Sequence, residues 1–146
     1  MSAAQSKKAP TVWLLFTDGA SKGNPGLAGA GWVLSNMEEG ITVRDCKFLG
    51  EATNNEAEYQ ALILGLEKSL DCGAKEIVVR MDSELLVRQL KGLYKVRNPR
   101  LAVFFQQVKD LLRKFTKYEI IHIPREQNQE ADRMANEAIR LRNNGC

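Results

Sequence analysis

Two aspartates stand where predicted strands end, a placement that brings carboxylates together in α/β proteins. Asp18 and Asp82 each follow an apolar run, at residues 12–16 and 76–81, which favours two buried strands. If both strands are central and parallel, their carboxyl ends lie at the same edge of the sheet, where open α/β sheets bind ligands. Two carboxylates at that edge repel each other unless a cation or a proton lies between them.

Two further acids, Glu58 and Asp132, lie on predicted helix faces that point toward the core. Glu58 shares its face with leucines at positions 62, 66 and 70, and Asp132 shares one with Ala135 and Ile139. A carboxylate on such a face is costly unless it is paired or bound to metal, and no basic residue lies three or four positions from Glu58. Either helix acid alone fits a capping role near a helix start, whereas all four acids together favour a metal site.

An all-carboxylate site predicts the kind of metal and the kind of reaction. Carboxylate oxygens suit Mg²⁺, with Mn²⁺ as the alternative, and Mg²⁺ also takes substrate phosphate oxygens. Two such ions, held together once substrate is bound, can clamp the attacking and leaving oxygens of an in-line phosphoryl displacement. That reaction needs no covalent nucleophile, which agrees with a chain that has one histidine and no serine or cysteine placed as a nucleophile.

Hydrophobic periodicity predicts the elements that must position these acids. Apolar runs and alternation predict strands at residues 12–16, 31–35, 41–49, 76–81 and 118–123. Amphipathic spacing predicts helices at residues 56–72, 83–90, 100–115 and 128–141. Asn128 is expected to cap the last helix, and the glycine-rich residues 19–31 are expected to form a loop. Right-handed crossovers then give an α/β fold with a five-stranded mixed sheet, three antiparallel strands followed by parallel ones, flanked by about four helices.

The length of 146 residues predicts one domain, which we place at residues 11–142, with a disordered arm at 1–10 and a flexible tail at 143–146. No apolar run approaches the roughly 20 residues of a membrane helix, and the polar start lacks a signal-peptide stretch, so we expect a cytoplasmic protein. Cys46, Cys72 and Cys146 lack metal-site spacing, which favours isolated thiols, with a bridge involving Cys146 as the alternative.

The charge is distributed unevenly along the chain. Residues 91–117 carry eight basic side chains and one acid, so this segment has a charge of +7 within a net charge of +3. A basic stripe beside an acidic remainder suits a protein that binds a phosphate backbone next to a metal site, although charge alone favours a solvated helix face.

Four segments in order resemble the ribonuclease HI family, and together they span residues 12–142. They are FTDGASKGNPGLAGAGWVL, TNNEAEYQALILGL, RMDSELLVRQL and IPREQNQEADRMANEA. The resemblance implies an RNase H-like fold and an endonuclease that hydrolyses the RNA strand of RNA–DNA hybrids, leaving 5′-phosphate and 3′-hydroxyl ends. It implies a hybrid duplex as partner and a monomer with no membrane and no obligatory protein partner.

The resemblance also assigns roles to the four acids. Asp18 would bridge two metal ions, Glu58 and Asp82 would hold the ion nearer the leaving group, and Asp132 would help to hold the ion that activates water. These four residues are therefore both the expected catalytic residues and the expected metal ligands.

Five residues in two loops resemble substrate contacts of the family. Gly23 with Asn24, and Asn54 with Asn55, resemble residues that face the minor groove and sense RNA 2′-hydroxyls, while Thr53 resembles a contact to a DNA phosphate. Side-chain amides and closely approaching glycine backbone suit this task because the 2′-hydroxyl is what separates RNA from DNA. Turn chemistry and helix capping explain the same residues without substrate, and the two explanations are compatible.

One departure from the family concerns proton transfer. Arg125 stands seven residues before Asp132, where many members carry a mobile histidine, while His122 is predicted within the last strand, as a strand residue without catalytic work. An arginine cannot act as a base at neutral pH, although it can anchor a phosphate as a fixed donor fork. We therefore count Arg125 among the expected catalytic residues and expect activity with less efficient turnover.

The other departures from the family concern substrate binding. Long members have an extra basic helix and loop, of which only residues 91–97, with Lys91, Lys95 and Arg97, remain here. Glu84 replaces a common amide, where it would either weaken RNA contact or aid metal retention. These losses motivate an alternative function, a non-cleaving module that binds hybrid or double-stranded nucleic acid. A third possibility is a related metal nuclease of the same fold acting on double-stranded RNA or on DNA junctions.

Overall fold

The computed structural model describes residues 11–142, and the predicted arm at 1–10 and tail at 143–146 lie outside the described residues. Five strands are present: β1 (Val12–Ser21), β2 (Gly26–Asn36), β3 (Ile41–Ala52), β4 (Glu76–Met81) and β5 (Lys117–His122). Four α-helices accompany them: α1 (Asn54–Asp71), α2 (Glu84–Leu90), α3 (Pro99–Leu112) and α4 (Gln129–Leu141). A short 3-10 helix, Arg125–Gln127, precedes α4.

The strands form one mixed sheet in the order β3-β2-β1-β4-β5. β1 pairs antiparallel with β2 and parallel with β4, while β3 extends the antiparallel part and β5 the parallel part. The predicted α/β class, the five-stranded mixed sheet and the four helices are therefore confirmed. Because β1 and β4 are central and parallel, the carboxyl ends of both strands lie at the same edge of the sheet, as expected.

The predicted loop at residues 19–31 is wrong over most of its length. β1 continues past Asp18 to Ser21, and β2 begins at Gly26, so only residues 22–25 connect them. Glycine-rich sequence is typical of loops, but here glycine serves packing: a Cβ on Gly31 would lie 2.4 Å from the backbone nitrogen of Ala135 in α4. The small residues of β2 thus let α4 lie directly on the sheet.

The structure also corrects the predicted role of Asn128. Its side chain makes no capping bond to α4 and instead donates from Nδ2 to the backbone oxygen of Thr17, 2.9 Å away. The α1 helix, by contrast, begins with a complete capping box between Thr53 and Glu56, two residues earlier than predicted.

The core lies between the sheet and helices α1, α2 and α3, where Leu15, Leu62, Leu66 and Val79 are fully buried. None of the helices in residues 11–142 is both long enough and apolar enough to cross a membrane. The expectation of isolated thiols is wrong for Cys46, which is disulfide-bonded, whereas Cys72 is a free thiol.

Candidate active site

Three of the four acids meet at the carboxyl edge of the sheet. Ligand oxygens of Asp18, Glu58 and Asp82 all lie within 4.8 Å of one another. Asp18 comes from β1, at the point where its parallel pairing with β4 ends, Asp82 follows β4 directly, and Glu58 lies in the first turns of α1. The prediction that the strand acids and the first helix acid converge is confirmed.

A glycine next to the cluster holds two of these carboxylates. The backbone N–H of Gly19 donates to Oδ1 of Asp18 and to Oε1 of Glu58, each at 3.0 Å. This contact requires that β1 and α1 approach closely, and a Cβ on Gly19 would lie 2.3 Å from the backbone carbonyl carbon of Ala57. Only glycine fits this position, so the site and the packing of α1 depend on the same residue.

The fourth acid, Asp132, lies in the first turn of α4 and reaches the cluster from the other face of the sheet. It is half-buried, and its carboxylate is near enough to Asp18 to contribute to the raised pKa of that residue. Asn136, one turn later, donates from Nδ2 to the backbone oxygen of Asp132 at 2.9 Å and to its Oδ1 at 3.3 Å. The four predicted acids therefore line one site, with Asp132 at its margin.

The electrostatics of the cluster are those of a site that could hold a cation. Asp18 and Glu58 are each 5% exposed, and burial, followed by the charges of neighbouring carboxylates, raises the pKa of both. Burial also raises the pKa of Asp82, although the Asn128 side chain and the positive charge of Arg125 act in the opposite direction. Clustered oxygen ligands whose ionised forms are destabilised in this way are a donor set that a hard divalent cation fits.

The cluster forms the floor of a polar cleft of about 450 Å³. Twelve residues line it: Asp18, Gly19, Ala20, Ser21, Lys22, Asn54, Glu58, Asp82, Ser83, Arg125, Asp132 and Asn136. Arg125 is exposed and lies in this cleft as predicted, on the 3-10 helix before α4. His122 is the last residue of β5, as expected, and is not among the lining residues.

The residues predicted to sense RNA are divided between the cleft and its rim. Asn54 lines the cleft, and its backbone N–H donates to Oδ1 of Asn24 at 2.8 Å, so the β1–β2 connection is joined to the start of α1. Asn24 is exposed and adopts a left-handed conformation with φ of 42°. Thr53 uses its side chain to cap α1, where its Oγ1 accepts from Glu56 at 3.2 Å. Gly23 is exposed and Asn55 is half-buried, and neither lines the cleft.

The residues after β4 that were predicted to contact substrate form a separate, exposed surface. Glu84 pairs with Arg88 one turn later at 2.8 Å, and neither lines the acidic cleft. Lys91, Lys95 and Arg97 are exposed on the connection between α2 and α3. The structure therefore does not bring these four predicted contacts to the acidic cluster.

Sequence reasoning missed three polar residues of the site. Lys22 and Asn136 both line the cleft, and Asn128 joins the start of α4 to the backbone of β1. Asn136 had a usable signal, because a residue four positions after Asp132 lies on the same helix face. Lys22 had none, since nothing in a glycine-rich turn predicts which way its lysine extends.

The chain matches a known family over most of its length. Residues 16–138 match the family model described as reverse transcriptase-like. The chain therefore belongs to this family.

Individual relatives agree with that assignment. The chain is 44% identical over 124 residues to ribonuclease HI of Halobacterium salinarum, covering 85% of this chain and 62% of that protein. It is 42% identical over 127 residues to a bifunctional protein of Mycobacterium tuberculosis, covering 86% of this chain and 35% of that protein. The chain thus spans less than two thirds of the length of these relatives.

Solved structures support the same conclusion. The RNase H1 of Halobacterium salinarum matches with a TM-score of 0.85 and 42% identity, over 88% of this chain and 98% of that one. LC11-RNase H1, solved in complex with an RNA/DNA hybrid, matches with a TM-score of 0.82 and 42% identity, over 89% of this chain and 98% of that one. The resemblance of the four sequence segments to ribonuclease HI is thereby confirmed.

Proposed function

We propose that this protein is an endonuclease that hydrolyses the RNA strand of RNA–DNA hybrids, leaving 5′-phosphate and 3′-hydroxyl ends. The observation that carries the proposal is the convergence of Asp18, Glu58 and Asp82 within 4.8 Å on the floor of an open polar cleft. The solved complex of LC11-RNase H1 with an RNA/DNA hybrid, a protein of the same fold, supports the choice of substrate.

Asp18, Glu58, Asp82 and Asp132 would hold two divalent cations, Mg²⁺ or alternatively Mn²⁺, with substrate bound. When bound, such cations supply charge neutralisation at the scissile phosphate and activation of water for in-line displacement. The chain's own contribution is preorganisation. Gly19 fixes the Asp18 and Glu58 carboxylates by hydrogen bonds from its backbone N–H, so these two ligands need no rearrangement when a cation arrives.

Arg125 takes part in this proposal as an anchor and not as a base. Its guanidinium presents a fixed set of donors that matches a phosphate and has no acceptor. It lies in the cleft near Asp82, where its positive charge opposes the rise in the pKa of Asp82 that burial causes. We therefore expect Arg125 to orient the scissile strand, while proton transfer at the leaving group proceeds without a histidine.

Substrate selection is assigned to the rim of the cleft. Asn54 lines the cleft, and its backbone N–H holds the side chain of Asn24 at the start of α1, where the side-chain amides of both residues suit recognition of RNA 2′-hydroxyls. We extend this role to Gly23 and Asn55 nearby, and assign Thr53 a DNA phosphate. The exposed segment at residues 91–97 would add sequence-independent contacts to the backbone of the duplex.

The biological unit in this proposal is a cytoplasmic monomer with one RNase H domain at residues 11–142. Its partner is the hybrid duplex, with no obligatory protein partner and no membrane.

Cleavage of a labelled hybrid tests the proposal. Wild type, Asp18→Asn and the control Asp71→Asn would be incubated with a hybrid duplex in Mg²⁺ and in Mn²⁺, and the RNA products sized and their ends identified. Asp71 is exposed at the far end of α1, so its substitution should leave cleavage intact. We expect cleavage of the RNA strand by wild type and the control, and none by Asp18→Asn.

The same assay separates the alternatives. Hybrid binding without cleavage in either metal would favour a non-cleaving binding module, which the arginine in place of the loop histidine motivates. Equal cleavage of double-stranded RNA or of DNA junctions would favour a related nuclease of the same fold. Undiminished cleavage by Asp18→Asn would contradict the proposed site itself.

A further inference from the structure

We propose that Lys22 and Asn136 form a positioning chain that holds the Asp132 carboxylate toward the metal site and links it to the connection between β1 and β2. This inference rests on the proposed function, because it concerns how one ligand of that site is oriented. It gives a positioning role to two cleft residues other than the four acids.

The first link joins two elements far apart in the sequence. Nζ of Lys22, in the four-residue connection after β1, donates to Oδ1 of Asn136 in α4 at 2.7 Å. Both residues line the acidic cleft. Since α4 packs on β2 through Ala135, the lysine adds a polar contact between α4 and the connection that leads into β2.

The second link orients the carboxylate. Nδ2 of Asn136 donates to Oδ1 of Asp132 at 3.3 Å and to its backbone oxygen at 2.9 Å. Among the four acids, Asp132 lies at the margin of the cluster, because the ligand oxygens that lie within 4.8 Å of one another belong to Asp18, Glu58 and Asp82. The bond from Asn136 orients the Asp132 carboxylate, as the Gly19 N–H orients those of Asp18 and Glu58.

Lys22 and the backbone oxygen of Asp132 together favour the orientation in which the amide nitrogen faces the Asp132 carboxylate. An asparagine side chain presents an oxygen that accepts and a nitrogen that donates, and a half-turn about its last bond exchanges them. The ammonium group of Lys22 can only donate, so it holds Oδ1 of Asn136 on its own side and Nδ2 on the side of Asp132. Without it, the exchanged orientation would direct the amide oxygen at the carboxylate and repel it.

The connection that carries Lys22 is itself held on its other side. Oδ1 of Asn24 accepts from the backbone of Asn54 at 2.8 Å, and Oγ of Ser21 donates to the backbone oxygen of Ala52 at 2.8 Å. Two of the residues proposed to contact RNA, Gly23 and Asn24, therefore lie in the same short connection as Lys22. Ligand orientation by neighbouring hydrogen bonds typically changes metal affinity or activity by about 10- to 100-fold.

A mutant cycle with two readouts tests the chain. Asn136→Ala, Lys22→Met, Lys22→Arg, the double variant Lys22→Met/Asn136→Ala and the control Lys75→Met would be compared. Lys75 is exposed at the opposite edge of the sheet. Mn²⁺ binding to the substrate-free protein would be measured by calorimetry, and kcat and KM for hybrid cleavage would be measured across a Mg²⁺ titration.

We expect Asn136→Ala to weaken Mn²⁺ binding and to raise the Mg²⁺ concentration for half-maximal activity by about tenfold or more, with a lower kcat and KM within about twofold. Lys22→Met should shift both in the same direction by about threefold, because its bond is exposed and correspondingly weak. Lys22→Arg should restore wild-type values, and the double variant should be no worse than Asn136→Ala.

Three outcomes would overturn the inference. Lys22→Met could raise KM and leave the metal dependence unchanged, which would make it a phosphate contact only. The two substitutions could act additively, or both could leave Mn²⁺ binding unchanged. Failure of wild type to cleave hybrid would sink the proposed function instead, and the calorimetric cycle would still decide the positioning chain. Thermal unfolding of each metal-free variant within about 2 °C of wild type excludes general damage.

Discussion

The acidic cleft and the basic segment at residues 91–97 are both charged regions, but they are built in opposite ways. Asp18 and Glu58 in the cleft are each 5% exposed, whereas Lys91, Lys95 and Arg97 are exposed to solvent. Charges in a buried site interact strongly because water cannot screen them, while exposed charges lose most of their interaction within about 10 Å at 0.1 M salt. The reactivity of the acidic site therefore depends on packing, whereas the affinity for a nucleic-acid backbone depends mainly on net charge.

Not all of the eight basic side chains at residues 91–117 are free to contact a nucleic-acid backbone. Arg100 pairs with the buried Glu56 at 2.7 Å, and Arg113 pairs with Asp110 at 2.6 Å. The Arg88 guanidinium near by lies 5.5 Å from the centre of the Tyr94 ring. The free cationic surface is therefore narrower than the count of eight basic residues indicates.

Loss of a carboxylate from the cleft should reduce the rate of hybrid cleavage more than any other change considered below. Glu58→Gln should reduce hybrid cleavage by at least about 1000-fold, close to 4 kcal/mol of transition-state stabilisation, because it removes a charged ligand from the buried cluster. Steady-state cleavage in Mg²⁺ measures this. Glu67→Gln, an exposed acid on the same helix, is the matched control and should retain wild-type activity. A loss of less than tenfold for Glu58→Gln would remove this residue from the metal site.

The next effect tests how far the cleft depends on backbone packing. Gly19→Ala should destabilise the protein by about 3 kcal/mol and abolish cleavage, because its Cβ overlaps the backbone of α1. Urea unfolding measures the free energy. The control is Gly40→Asn, at a turn with φ of +66° and nothing within 4 Å of an added Cβ, where asparagine tolerates the left-handed conformation. If the two variants were equally stable, the close approach of β1 and α1 would not matter.

A smaller effect should appear in the pH dependence of metal-free stability. The folded-state pKa values of Asp18 and Glu58 are raised, so the native state binds more protons than the unfolded state, whose carboxyl pKa values are roughly 4. The contribution of these two groups to the unfolding free energy should therefore be largest below a pH of about 4 and fall as pH rises toward about 8 for Glu58 and about 10 for Asp18, by at most about 1.4 kcal/mol per pH unit for each extra proton.

Thermal unfolding from pH 5 to 8.5 in chelator measures this slope. Asp18→Asn should flatten this slope. Mg²⁺ added to the wild-type protein at pH 8 should raise its unfolding free energy, because the cation takes the place of the proton. A stability that rises with pH in the metal-free protein would show that the carboxylates are compensated by other groups.

The smallest effect belongs to the basic segment. Substitution of Lys91, Lys95 or Arg97 by Ala should each raise KM by roughly fivefold, about 1 kcal/mol, with kcat unchanged, and should reduce the salt dependence of binding by about one ion. KM measured across a series of salt concentrations checks both. Lys75→Met again serves as the exposed control. A change in kcat would place these residues nearer the chemistry than the structure does.

Local patterns in the sequence were sufficient to predict the types of the secondary-structure elements and the acidic residues of the site. Alternating and helical spacing predicted five strands and four helices. Three of the four acids converge as their positions at two strand ends and on one helix face predicted. These features depend on neighbours along the chain, so a sequence contains them. The resemblance to ribonuclease HI supplied the substrate, which the acids alone do not specify.

Tertiary structure alone decided the features that depend on the distance between elements. The glycines at 19, 29 and 31 indicated a loop, but α1 and α4 approach the sheet so closely that side chains would overlap backbone, and the segment is therefore strand. The contact of Lys22 with Asn136 joins residues 114 positions apart. No local pattern encodes such a contact, because it exists only once α4 has packed on β2.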